Sequence, residues 1–238
     1  TTTDVSSVGL APHQPSRWGR GGWQTDCVSL PLQPPLAPML AKAADVIPDG
    51  DDWLYEPKWD GFRCIAFRDG DDIELQSKSM KPLARYFPDM VESLRALNAN
   101  RFVLDGELVI PFEGSLSFEQ LLLRIHPAAS RVKKLAAETP ALFVAFDLLE
   151  AERGNALVDA PLAERRERLE AFAVKYFSDD IKLSPHTTSY DQAEKWLSGH
   201  RGGLDGVMAK QADSPYASGE RTAMLKVKRL RTADCVVG

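Results

Sequence analysis

Apolar positions in this chain recur in two periods, and they predict its elements. Trp53 to Pro57 and Phe62 to Arg68 read as strands, and Asp69-Gly70 before Ile73 to Ser77 reads as a hairpin. Phe87, Met90, Val91, Leu94 and Leu97 follow the spacing of one helical face. Phe102 to Ile110 predicts a strand, and Ser117 with Gln120 forms a capping box ahead of a helix carrying Leu121, Leu122 and Ile125. Ala141 to Leu149 predicts a strand buried on both faces, and Pro161 opens a charged helix running to Phe177. Ile181 to Ser184, Gly206 to Lys210 and Met224 to Lys228 predict strands, and Asp191 to Leu197 a helix. No internal repeat is present. Strands in hairpins with long connections, rather than a regular βαβ alternation, predict an α+β fold with mainly antiparallel sheets.

The ends differ from this body. Residues 1–29 are rich in Thr, Ser, Gly, Pro and Gln without a sustained period and predict an irregular extension, pinned if at all by Trp18 or Trp23. Four prolines between Pro31 and Pro38 predict an extended lead-in. With 238 residues, 44% hydrophobic and 26% charged, the chain has enough apolar surface for one large domain or two small ones. No apolar run approaches the roughly 18 residues that span a bilayer, and no signal peptide is visible, so no membrane association is expected. Cys27, Cys64 and Cys235 lack CxxC spacing, which argues against a disulfide framework or zinc site and suits a reducing cytosol.

A net charge of -5 does not point to nucleic acid, but binding follows local patches. The segment from Arg221 to Arg231 carries basic residues and no acid. Within it, strand alternation puts Lys226 and Lys228 on one face, where a phosphate would relieve their repulsion; a lysine-blunted edge strand is the plain alternative. Lys58 lies in Glu56-Pro57-Lys58-Trp59-Asp60-Gly61, with Gly61 allowing a turn and the close approach of a ligand. A nucleophilic lysine there needs desolvation or cationic neighbours, which Lys226 and Lys228 could supply; otherwise it is a surface lysine paired with Asp60. Asp105 and Glu107 share one face of an apolar strand, so a metal, a hydroxyl or a salt bridge must satisfy Glu107. Asp205 opens the apolar strand ending at Lys210, positions suited to a metal and a phosphate. Phe146 against Val207 or Met208 would form a flat apolar slot for a base, or else simple core packing.

Singly these signals are weak, but their order is specific. Lys58-Trp59-Asp60-Gly61 resembles the KxDG nucleophile motif of the covalent nucleotidyltransferases, which include ATP-dependent DNA ligases, RNA ligases and capping enzymes. Leu104-Asp105-Gly106-Glu107-Leu108, Phe146-Asp147-Leu148-Leu149, Asp205-Gly206-Val207-Met208-Ala209-Lys210 and Leu225-Lys226-Val227-Lys228 resemble the family's later motifs in order. The resemblance covers roughly residues 31 to 230 and is strongest to bacterial ATP-dependent DNA ligases of the non-replicative, repair type. It implies a nucleotidyltransferase fold, ATP-grasp-like, with residues 30–230 as an adenylation domain.

Roles follow by position. The resemblance implies that Lys58 becomes adenylated, that Glu56 reads the adenine amino group and that Arg63 and Lys78 contact ribose or phosphate. Glu107 would bind ribose or metal, Phe146 would stack on adenine with Val207 beside it, and Asp205, where the family often has glutamate, would bind metal. Lys226 and Lys228 would hold the α-phosphate, with Arg221 assisting on a looser match. The implied cofactors are ATP and Mg²⁺ or Mn²⁺. The implied partner is nicked double-stranded DNA, alongside other repair proteins, for a cytoplasmic monomer. Family members continue into an oligonucleotide-binding barrel, for which residues 231–238 would be the start of a linker. A chain ending at Gly238 is therefore expected to adenylate slowly and to seal nicks poorly. An RNA ligase of the same mechanism and a non-catalytic nucleotide- or DNA-binding module are the other readings.

Overall fold

A computed structural model describes residues 30–151, 155–199 and 204–229. The expected N-terminal extension, residues 231–238 and the two anchoring tryptophans lie outside the described residues. In chain order the strands are β1 (Lys42–Ala44), β2 (Trp53–Trp59), β3 (Phe62–Asp69) and β4 (Asp72–Ser77), followed by helix α1 (Pro88–Ala96). Next come β5 (Arg101–Val109), a small hairpin of β6 (Pro111–Phe112) and β7 (Ser115–Leu116), and helices α2 (Phe118–Arg124) and α3 (Ala129–Glu138). Then follow β8 (Leu142–Ala151), β9 (Asn155–Ala156), α4 (Leu162–Tyr176), β10 (Ile181–Leu183), α5 (Tyr190–Ser198), β11 (Leu204–Gln211) and β12 (Met224–Lys228).

Two sheets organise these elements. The larger runs β10-β8-β5-β3-β4 with β9 on β8; the smaller runs β1-β12-β11-β2. Pairing is antiparallel except for β1 with β12 and β10 with β8. Most strands begin and end within a residue or two of the expected positions. Among elements the periodicity did not signal, α3 buries only Val132 and Ala136, too few for a visible stripe, and β1, β6, β7 and β9 have two or three residues each. The Ser117 hydroxyl accepts from the Gln120 N–H, as a helix cap should.

One face of the larger sheet (Cys64, Ala66, Leu104, Ala145) packs on Met90 and Leu94 of α1 and Leu169 and Phe172 of α4. Its other face (Ile65, Phe67, Val103, Leu149) meets Leu30 and Met39 of the lead-in together with Tyr216 and Met224. This second core joins the two sheets and leaves a cleft open beyond it. The outer face of the smaller sheet (Tyr55, Val207, Ala209, Val227) packs on Ala193 of α5.

The lead-in is tied down as well as packed. Leu36 exchanges hydrogen bonds with the Gln76 amide, at 2.8 and 2.6 Å. The Leu32 N–H donates to Glu150 Oε2 at 3.0 Å, while Glu150 Oε1 is buried without a hydrogen-bond partner. Burial pushes the Glu150 carboxyl up to about 7, against the Leu32 N–H and Arg101 and with help from Asp69. An ordinary glutamate has released its proton above 4.5, whereas the folded chain keeps this one until about 7. Stability from this group is therefore complete at low pH and lost as pH rises through that window, by on the order of 2 kcal/mol. Glu150→Gln removes the slope. Urea unfolding of both proteins from pH 4.5 to 7.5 is expected to show the variant gaining steadily on the parent; a constant difference would refute this.

Candidate active site

The face of the smaller sheet opposite α5 lines the cleft. Register alignment gives it three rows. Leu54, Lys210 and Met224 stand together, then Glu56, Met208 and Lys226, then Lys58, Gly206 and Lys228. The cleft encloses about 1160 Å³ and is also lined by Arg63, Lys78, Glu107, Phe146 and Arg221. Nine of the ten nucleotide-binding positions expected from the sequence therefore meet around one cavity. Val207 does not. Strand alternation turns it away from the cleft into the α5 core, fully buried, and Met208 is its cleft-facing neighbour.

Lys58 sits near the end of β2 at the mouth of this cleft, one-fifth exposed. Its Nζ lies 2.7 Å from Asp205 Oδ2, and Lys228 Nζ lies 2.9 Å from the same oxygen. The expected partner Asp60 is not the one used, and the lysines do not simply crowd one another: a carboxylate stands between them. Burial opposes ionisation of Asp205, but the hydrogen bonds from Lys58 and Lys228 hold its carboxyl below the usual range. Asp205 reaches this position through a bulge against β2 and through Gly206, whose φ of +152° favours glycine and whose added Cβ would meet the Val227 carbonyl oxygen at 2.0 Å. Gly61 lines the cleft, and close packing also requires glycine there, since a Cβ would lie 2.2 Å from the Leu108 carbonyl oxygen.

Lys226 lies between these groups and further cations. Burial, then Lys78, Lys228, Lys58 and Arg221, push its ammonium below the ordinary value. That cluster is an anion site by composition. Glu107 also lines the cleft; burial pushes its carboxyl up to about 7, while Arg63 and Lys58 pull it down. Among the described residues no three His, Cys, Asp or Glu side chains converge. Glu107 and Asp205 could thus supply only part of a divalent cation's shell. That suits Mg²⁺, which keeps several waters and takes phosphate oxygens.

Arg63 is held from behind. Its Nε and Nη2 each lie 2.6 Å from the two oxygens of Asp105, which also accepts from the Tyr216 hydroxyl at 2.6 Å. The guanidinium lies 4.6 Å from the Phe146 ring centroid, and Lys210 Nζ lies at the same distance. Lys210, which also lines the cleft, pairs with Glu56 Oε2 at 2.9 Å, four residues along β11 from Gly206. Sequence reasoning also passed over Lys81 and Arg85, exposed at the cleft rim, and the pair Arg165 and Arg166 on α4. The only signal for the latter was two arginines at the start of a helix, which looks like a solvated face; both are buried.

A family model for the ATP dependent DNA ligase domain matches residues 35–228. The chain belongs to the ATP-dependent DNA ligase family. DNA ligase C2 of Mycolicibacterium smegmatis is 48% identical over 211 residues, which cover 88% of this chain and 58% of that protein. DNA ligase C of Mycobacterium tuberculosis is 48% identical over 214 residues, covering 88% and 59%. A solved mycobacterial DNA ligase D complexed with ATP and MES superposes with a TM-score of 0.63 at 28% identity, over 81% of this chain and 60% of that one. The expected α+β nucleotidyltransferase fold is thus the fold of this ligase family, and the chain carries its catalytic domain. It spans about six-tenths of the length of these curated relatives. No helix among the described residues is long and apolar enough to cross a membrane.

Proposed function

We propose that this ligase domain forms a covalent lysyl-AMP on Lys58 and, within its whole protein, passes the AMP to the 5′-phosphate of a DNA nick. The observation that carries this is the triad of Lys58, Asp205 and Lys228 on the wall of a cavity large enough for a nucleotide. Lys58 Nζ, once deprotonated, attacks the α-phosphorus of ATP. A nitrogen–phosphorus bond forms, the bond to the β-phosphate bridging oxygen breaks, and pyrophosphate leaves with that electron pair. Asp205 orients the amine from 2.7 Å, the amine proton passes to solvent, and Lys226 and Lys228 neutralise charge on the phosphate oxygens. Phe146 and Met208 enclose the base, and Glu56 accepts from its amino group. Glu107 and Asp205 would hold a divalent cation, Mg²⁺ or Mn²⁺, which when bound adds charge neutralisation at the phosphates.

AMP then passes to the 5′-phosphate, and the 3′-hydroxyl displaces it to join the strand. Lys78, Lys81 and Arg85 at the rim supply phosphate contacts for nicked DNA. Intact-protein mass spectrometry after incubation with ATP or GTP tests the reading. An AMP-sized increase mapped to Lys58 with ATP is expected; labelling from GTP alone, or none from either, would end it.

A further inference from the structure

Plain strand alternation along β8 fails beside Phe146. Asp147 stands opposite Asp105 on β5 and Ala145 opposite Gly106, so Phe146 is the extra residue of a bulge. Bulges re-aim side chains, and here two successive ones, Phe146 and Asp147, both turn toward the smaller sheet. They line a second, small cavity of about 10 Å³ together with Arg63, Leu162, Arg165 and Lys210. Phe146, Arg63 and Lys210 also line the cleft, so they form the partition between the two spaces. A gap of that size is about one water molecule, too little for the ring to retreat into. Arg165 holds this arrangement. It is 1% exposed, lies outside the cleft lining and meets Asp147 in a bidentate pair, Nε to Oδ1 and Nη2 to Oδ2, both at 2.9 Å. Its Nη1 donates to the carbonyls of Ala160, at 2.7 Å, and Ser214, at 3.0 Å. Ser214 follows β11 closely, and its carbonyl also accepts from the Leu162 N–H at 2.9 Å. One guanidinium thus ties β8, beside Phe146, to the end of β11, the strand that carries Met208 and Lys210.

Stability alone does not call for such a pair, because apolar side chains of similar volume often replace a buried ion pair without loss. What they lack is direction. Resting on the reading above, in which Phe146 and Met208 enclose the base, we propose that Arg165 is a positioning residue for base binding. It acts through Asp147 and the Ser214 carbonyl. Together these set the separation of the two walls of the base slot, the Phe146 ring on the larger sheet and Met208 on the smaller. The recognised chemistry is a flat aromatic base, whose attraction to such a slot depends on close contact at both faces. The phosphate end has other supports. Lys58, Lys226 and Lys228 stand on β2 and β12, to which Arg165 makes no hydrogen bond among the described residues. Loss of Arg165 therefore loosens the grip on the base and leaves the grip on phosphate intact.

The test separates the two ends of the nucleotide. The KM for ATP in adduct formation reports both; inhibition by inorganic tripolyphosphate, which carries phosphates without a base, reports the phosphate end alone. Arg165→Lys keeps the charge but not the fork. It is expected to raise the KM for ATP about tenfold while changing the rate at saturating ATP and the tripolyphosphate inhibition constant by less than about twofold, the pattern of lost ground-state binding. In a Phe146→Ala background it should raise the KM no further. An unchanged KM for ATP, or equal weakening of ATP and tripolyphosphate, would overturn the proposal. Should Arg165→Lys not fold, Arg165→Met with Asp147→Leu carries the test: an apolar pair of similar volume is expected to restore folding but not position, with the same rise in KM. A parent-like KM in that double variant, or its own failure to fold, would assign the pair to the fold alone and overturn the proposal. If Phe146→Ala by itself leaves the KM unchanged, the reading of the base slot fails instead, and absence of any adduct with ATP in the parent would sink the lysyl-AMP reading itself.

Discussion

Lys58→Ala is expected to abolish the AMP-sized adduct, a loss of at least about a thousandfold in labelling rate, because no neighbouring group can replace a covalent nucleophile. Lys226 and Lys228 line the same cleft and carry the same amine, so the location of the label matters as much as its loss. Lys58→Arg separates charge from nucleophilicity. The guanidinium can keep an ion pair with Asp205, so folding and nucleotide binding should survive, but it does not release a proton and cannot attack. The expected result is therefore normal thermal stability, measurable ATP binding by calorimetry and no adduct. Persistence of label in either variant, or its appearance on Lys226 or Lys228, would show that the wrong lysine has been assigned. Lys228→Ala is predicted to be milder. It removes one of two ammonium groups from Asp205 and leaves Lys58 to hold that oxygen alone, so labelling should slow without disappearing.

How far the sequence could be read depended on range. Two-residue alternation predicted that Lys226 shares a face with Lys228 and Asp105 with Glu107, since that rule needs only the strand itself. The same rule could have placed Val207, because Asp205 and Val207 alternate with Gly206 and Met208; what it could not say is which set faces the cleft. The bulge at Gly206 broke the rule as well. It lets Asp205 meet Lys58 and Lys228 while Val207 enters the α5 core. The Lys210–Glu56 pair was illegible for a related reason: Glu56 lies on β2, more than 150 positions earlier in the chain, and only the pairing of β11 with β2 brings the two together. Arg165 and Arg166 were illegible because a charged helix ordinarily turns such residues to water, and the buried carboxylates they meet, Asp147 and Glu56, lie on β8 and β2. The motif order carried the family; the network behind the motifs needed coordinates.

That network gives the second large effect. Asp105→Ala is expected to destabilise the fold by about 3–5 kcal/mol, a large share of the ~5–15 kcal/mol typical of a domain. Asp105 is wholly buried and balances the Arg63 guanidinium through two 2.6 Å contacts while accepting from Tyr216. The Tyr216 hydroxyl also accepts from the Met39 N–H at 3.1 Å, so the carboxylate anchors the lead-in as well. Removing it strands a guanidinium beside Phe146 and leaves a buried hydroxyl without an acceptor. Asp105→Asn keeps an acceptor and the shape but not the charge, and should cost less, about 1–3 kcal/mol. Adding Arg63→Met to Asp105→Ala should recover much of the loss, because an apolar pair of similar volume needs no compensation. Urea unfolding of the four proteins decides between two accounts. A double variant no more stable than Asp105→Ala would mean that Asp105 matters mainly to Tyr216 and the lead-in; recovery would mean that the buried charge of Arg63 dominates, and that the arginine beside Phe146 is kept for what it does in the cleft rather than for what it adds to the fold.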